Sequence, residues 1–257
     1  MKPILTITNL HKHFGGVKAI NDFSVTLEKG KIYGLIGPNG AGKTTIFNTI
    51  TGIYDPTMGD IALNGESIVG KAPYEISNLG IARTFQNIRL FGNLSVLDNV
   101  IIACHVDAKY GIFEAMTKFG RFKKDEEDIK EKCLKLLQIV GLEDMKDDTA
   151  GALPYGHQRK LEIARALATN PHLLLLDEPA AGMNEKESEE LVRFIQNIHE
   201  NFDLTILLIE HHMDFVMSLC DEIAVLNFGS TICMGSPDEV KCNPAVIEAY
   251  LGGEDDA

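Results

Sequence analysis

Gly37-Pro38-Asn39-Gly40-Ala41-Gly42-Lys43-Thr44 meets every fixed position of the pattern G-x-x-x-x-G-K-[ST]. The pattern has a physical rationale. The glycines let the backbone turn tightly, so that its N–H groups face phosphate oxygens, Lys43 reaches the β- and γ-phosphates, and the Thr44 hydroxyl can ligate Mg²⁺. A second run, Leu173-Leu174-Leu175-Leu176-Asp177-Glu178, carries matching chemistry. Asp177, at the end of an apolar strand, would hold Mg²⁺ directly or through water. Glu178, one residue on, can orient and activate an attacking water. Many strands end in acids, so the run is only moderately specific alone; an intact phosphate loop upstream gives it weight.

The elements that must position these residues are readable. Ile32 to Ile36 is a short apolar stretch before the loop, read as a buried strand. Ile46, Phe47 and Ile50 fall on one side of a helix after it, with Gly52 as its stop. That helix would turn its positive end toward the phosphate site. A glycine-rich turn with a surface lysine is the competing reading, and the coincidence of pattern, strand and helix counts against it. Four consecutive leucines predict a strand buried on both faces. Upstream, Ile4, Thr6 and Thr8, then Phe23, Val25 and Leu27, alternate as strands do, and Ile61-Ala62-Leu63 before Asn64-Gly65 predicts a strand entering a hairpin.

From about Pro73 to Ala150 the texture turns helical. Ser95 is a plausible N-cap, residues 125–140 are amphipathic, and Phe113, Met116, Phe119 and Phe122 recur at three-residue spacing, a stripe read as core. After Gly151 the pattern is α/β: a helix from Gln158 to Thr169 ended by Asn170-Pro171, a strand at Leu173–Leu176, a helix from Glu185 to Glu200 and a strand at Thr205–Ile209. Strands alternating with helices imply parallel pairing and right-handed crossovers. The tail, residues 253–257, is expected to fray.

The chain of 257 residues carries a net charge of −13, which argues against nucleic acid as a partner and against simple adhesion to anionic lipid. Local N–H groups, one lysine and a metal can bind phosphate whatever the global charge. The one basic cluster, Lys118 to Lys124, is followed by Asp125-Glu126-Glu127-Asp128 and reads as a solvated face. No segment approaches the roughly 20 apolar residues of a membrane span, and no secretion signal is read at the N-terminus. The five cysteines form no C-x-x-C pair and read as free thiols in a reducing compartment. Neither His11 with His13 nor His211 with His212 has metal-ligand spacing.

The third signal is Leu153-Pro154-Tyr155-Gly156-His157-Gln158, opening a helix just before the leucine strand. Here the sequence resembles the nucleotide-binding subunits of ABC transporters, whose signature is usually L-S-G-G-Q. The resemblance runs over nearly the whole chain. Phe14 matches the aromatic that stacks on adenine, Gln86 the glutamine between core and helical lobe, Ala181-Gly182-Met183-Asn184 the loop after the catalytic acid, and His211 the switch histidine. It implies an α/β P-loop NTPase (ABC ATPase) core with an antiparallel β subdomain and an inserted helical subdomain. Residues 1–90 and 151–257 would form the ATP-binding, RecA-like core, and 91–150 the helical insertion.

The resemblance implies ATP as substrate, Mg²⁺ as cofactor and Thr45 as a further phosphate contact. Thr44, Asp177 and Gln86 would organise Mg²⁺ and water, with Glu178 polarising the water and His211 contacting the γ-phosphate. Departures are specific. Pro154 stands for the signature serine, Tyr155 for its first glycine and His157 for its glutamine, leaving mainly the Gly156 N–H and His157 to meet the partner's ATP. Asn184 replaces the common aspartate. Leu-x-Tyr-Gly, Glu-Pro-Ala-Ala-Gly, Ile-Glu-His, the extra segment near 106–124 and the ending Asn243 to Gly252 resemble the longer ATPase subunit of branched-chain amino-acid importers. The implied partners are a second ABC ATPase subunit (another copy or a related chain), two hydrophobic membrane permeases and, indirectly, an external solute-binding protein. The implied location is peripheral, on the cytoplasmic face of the cell membrane. An exporter ATPase for lipid or lipopolysaccharide, a soluble ABC-type ATPase and a nucleotide-binding regulator without turnover are the alternatives.

Overall fold

A computed structural model describes residues 2–104 and 121–251. Two compact units emerge: Met1–Gln86 with His172–Ala257, and Asn87–Pro171. In the first unit the alternating N-terminal residues form two long strands, β1 (Pro3–Phe14) and β2 (Val17–Glu28), paired antiparallel. With β4 (Met58–Leu63) and β5 (Glu66–Ser67) they make a four-stranded antiparallel sheet in the order β2-β1-β4-β5. Asn64 and Gly65 join the last pair with φ of 51° and 90°, the left-handed pair that a two-residue hairpin turn requires.

The second sheet of this unit has six strands in the order β10-β9-β3-β8-β7-β6. Its strands are β3 (Ile32–Ile36), β6 (Ile81–Arg83), β7 (Leu173–Asp177), β8 (Thr205–Ile209), β9 (Glu222–Asn227) and β10 (Ser230–Gly235). All neighbours are parallel except β9 and β10. Every residue of β3, β7 and β8 is buried, as continuous apolar runs in a central parallel sheet require. The register fixes the site. Leu35 pairs with Ile209, and Ile209 with Asp177, so the C-terminal ends of β3, β8 and β7 lie level. The leucine strand is therefore one strand removed from the phosphate-loop strand, with β8 between them. Phe23, Val25 and Leu27 of one sheet and Leu35, Leu175, Leu207 and Ile209 of the other share one hydrophobic core with Ile46, Phe47 and Ile50.

Helices α1 (Lys43–Ile50), α2 (Pro73–Asn78), α6 (Glu185–Asn201), α7 (Met213–Leu219), α8 (Pro237–Lys241) and α9 (Pro244–Leu251) complete this unit. The second unit holds α3 (Val96–Cys104), α4 (Arg121–Ile139) and α5 (Tyr155–Ala168). Sequence patterning places the helical insertion at 91–150, whereas the compact unit runs from Asn87 to Pro171 and takes α5 with it. The reason is packing: α5 lies against α3 and α4, and Leu161, Ile163, Ala164 and Leu167 are buried along with Val96, Val100, Leu136 and Leu137. The stripe Phe113, Met116, Phe119 and Phe122, the cluster Lys118 to Lys124 and the tail 253–257 lie outside the residues whose side chains are described.

All five cysteines are free, as expected, and Cys104 and Cys133 bury their thiols 3.1 Å apart.

Candidate active site

Residues Gly37 to Gly42 link β3 to α1 in the predicted strand–loop–helix order. Two glycines are dictated by close approach. A Cβ on Gly37 (φ 148°) would stand 2.2 Å from the Leu226 carbonyl oxygen, and one on Gly42 (φ 102°) would stand 2.3 Å from that of Ala19. Gly42 is also the N-cap of α1 and supplies no side-chain cap. The first-turn N–H groups of this helix thus depend on an outside acceptor, which is what an anion supplies. Lys43 is buried and folds back over the loop, its Nζ donating to the Gly37 carbonyl at 2.7 Å and the Pro38 carbonyl at 2.9 Å. Burial pushes its ammonium below the ordinary lysine range, partly offset by the negative charge of Glu178. Asn39, Gly40 and Thr44 are exposed, and Thr45 is half-buried.

The carboxylates stand at the level end of the sheet. Asp177 is buried at 4% exposure and accepts from Arg83 Nη2 at 2.7 Å. Arg83 reaches on to Asn48 Oδ1 at 2.8 Å, so one guanidinium joins the acid of β7 to the helix that follows the phosphate loop. Phe47 and Phe85 flank that guanidinium at 5.5 and 5.3 Å. Glu178 has both oxygens engaged: Gln86 Nε2 donates to Oε2 at 2.7 Å, and His211 Nε2 lies 2.9 Å from Oε1. Its backbone is left-handed, with φ of 47°. A non-glycine residue in that region is held there by its surroundings. The Glu178 N–H donates to Ile209 O at 2.9 Å, and the Ala181 N–H to Glu178 O at 3.2 Å. The structure therefore brings Gln86, Asp177, Glu178 and His211 together, although they come from distant parts of the chain.

Phe14 ends β1, is 42% exposed and sets its ring edge-on to Tyr54, centroids 5.2 Å apart. Lys12 Nζ lies 5.0 Å from the Phe14 centroid.

A family model described as "ABC transporter" matches residues 20–181, and another, "Branched-chain amino acid ATP-binding cassette transporter", matches residues 230–256. Over 251 residues the chain is 42% identical to the high-affinity branched-chain amino acid transport ATP-binding protein BraF of Pseudomonas aeruginosa, covering 98% of each chain. It is 43% identical to the corresponding protein LivG of Salmonella typhimurium, again over 98% of each. The crystal structure of the ADP conformation of an ATP-binding cassette of an ABC transporter superposes with a TM-score of 0.85 at 32% identity. It covers 98% of this chain and 100% of that one. The chain belongs to the ABC transporter family.

In this cassette the signature residues lie in the Asn87–Pro171 unit. Leu153 is buried and its carbonyl accepts from Gln158 Nε2 at 2.8 Å. Pro154 is the N-cap of α5 and offers no side-chain cap. The helix thus begins at Tyr155, three residues before the Gln158 start read from the sequence. Proline's fixed φ suits a helix entry, here −54°. The Tyr155 hydroxyl accepts from Arg159 Nη2 at 3.2 Å, and Gly156 and His157 are half-buried. Glu162 takes up Arg159 at 2.7 Å and the Arg89 N–H at 3.2 Å, a structural network inside the unit.

The cassette's acidic and hydroxyl oxygens fit Mg²⁺. Thr44 is the second residue of α1, Asp177 ends β7 with Oδ2 taken by Arg83, and both are hard oxygen donors. Among the described residues no group of three or more His, Cys, Asp or Glu could hold a metal alone. Arg83 and Glu210 were not singled out by sequence reasoning. Arg83 meets Asp177 from 94 positions away, and a lone arginine carries no local signal of such a partner.

Proposed function

We propose that this cassette is the ATP-hydrolysing subunit of a branched-chain amino acid importer. The observation that supports hydrolysis best is Glu178, whose two oxygens are engaged by Gln86 and His211 at the sheet end where β3 delivers the phosphate loop. The substrate class is supported by the family match at residues 230–256 and by the relatives' names.

In this reading the Phe14 ring stacks on the base. Lys43 swings from its carbonyl partners to the β- and γ-phosphates, joined by Thr45 and the N–H groups of Gly37 to Thr44 (Pro38, which has none, excepted). Thr44, Asp177 and Gln86 would hold Mg²⁺, which supplies charge neutralisation at the phosphate oxygens when bound. Glu178 orients the water that attacks the γ-phosphorus in line, and His211 contacts the γ-phosphate; ADP and phosphate leave. Two cassettes, this chain with a second copy or a related chain, close over two ATP molecules. Leu153, Pro154, Tyr155, Gly156 and His157 then face the partner's nucleotide. Preferential ATP binding to the closed pair shifts the equilibrium between open and closed. The Asn87–Pro171 unit transmits that shift to two membrane permeases fed by an external solute-binding protein, with the cassette peripheral on the cytoplasmic face.

The test is to purify the chain with its membrane partners, reconstitute them in vesicles and add ATP. ATP-dependent accumulation of labelled leucine with the binding protein present is the expected result. Movement of lipid instead, or no membrane partner at all, would move the function to an exporter or a soluble ATPase.

A further inference from the structure

Glu210 directly precedes His211, and none of the steps above uses it. Its side chain is buried, at 1% exposure. One oxygen, Oε1, accepts the Ala180 N–H at 2.7 Å. The other, Oε2, accepts the His211 N–H at 2.9 Å, with the His212 N–H and His212 Nδ1 both at 3.5 Å. One carboxylate thus ties the loop leaving Glu178 to the loop leaving β8. Backbone N–H groups donating to a carboxylate make short, strong, charge-assisted bonds.

These ties fall where the site stores strain. Glu178 keeps a left-handed φ of 47°. Such a conformation persists only where neighbouring structure over-determines it. The bonds to Ile209 and Ala181 hold Glu178 itself, and the Ala180–Glu210 bond fixes the chain two residues beyond it. His211, whose ring lies 2.9 Å from Glu178 Oε1, has its own N–H on the same Glu210 carboxylate. The two side chains that meet at the reacting end are therefore both referenced to one buried group.

We propose that Glu210 is a positioning residue for ATP hydrolysis, setting Glu178 and His211 in mutual register without touching the nucleotide. The inference rests on the reading of Glu178 as the water-orienting group and His211 as the γ-phosphate contact. Glu210→Gln is nearly isosteric but turns one acceptor oxygen into an N–H₂ group, which faces a backbone N–H and breaks one tie. A misplacement of about 1 Å costs roughly 10²-fold in rate.

In the purified transporter complex, Glu210→Gln is expected to lower kcat by about 10- to 100-fold and leave KM for ATP within about twofold. Combined with His211→Ala, it should cost less than the product of the two single losses, because part of its effect passes through His211. A merely structural role would give multiplying losses. If the Gln variant fails to assemble, Glu210→Asp replaces it. That carboxylate is one methylene shorter and must release one N–H, so the same kcat loss is expected. Wild-type kcat in either assembled variant, or fully multiplicative losses, would overturn the proposal. Glu178→Gln separates the two levels. If it still turns over, the underlying reading fails; if it is inactive while Glu210→Gln is normal, only the positioning role fails.

Discussion

Asp177 and Arg83 form a pair whose side chains are 5% and 7% exposed, and burial at that depth sets what either can tolerate. Removing one partner leaves an uncompensated buried charge, at a cost of about 3–5 kcal/mol. Arg83→Ala is expected to lower the urea unfolding midpoint accordingly, and an unchanged midpoint would contradict the pairing. Lys43 makes a pH prediction. Its folded pKa is lowered by burial, so the unfolded chain holds the proton more tightly and stability rises with pH between the folded and unfolded values. Nucleotide affinity runs the other way. The ammonium is lost below the ordinary lysine range, so ATP affinity measured by titration should fall on the alkaline side earlier than a solvent-exposed lysine would give. The phosphate loop, Asp177 and Glu178 stand out as candidates in short local patterns, whereas His211 is a candidate only through the family resemblance. Arg83 and Glu210 do not stand out, because their roles come from contacts 94 and 30 positions away.

Among the elements, the strands were the most legible, since period-2 alternation and all-apolar runs report burial directly. Strand order was not. β8 lies between β3 and β7, and pairing across a parallel sheet leaves no mark in any one strand. Helix entry was blurred where α5 opens on Pro154, which caps nothing with its side chain. Asn184 gained a structural meaning. It caps α6 by accepting the Glu187 N–H at 3.0 Å, while Glu187 accepts the Asn184 N–H at 3.0 Å, a capping box. Asn184→Ala should cost about 1 kcal/mol in thermal or chemical denaturation, and Asn184→Asp almost nothing; equal losses in both would contradict the cap. In the phosphate loop, Gly37→Ala drives a Cβ to 2.2 Å from a backbone oxygen. The loop must then deform, and nucleotide binding by calorimetry should be lost although the rest of the fold survives.

For the whole molecule, a net charge of −13 coexists with a local phosphate site, and no helix among the described residues is long and apolar enough to cross a membrane. Glu178 is the residue proposed to activate the water that cleaves ATP. Purified transporter carrying Glu178→Gln should bind ATP with near wild-type affinity and show no measurable release of phosphate. Phosphate release at the wild-type rate would contradict it.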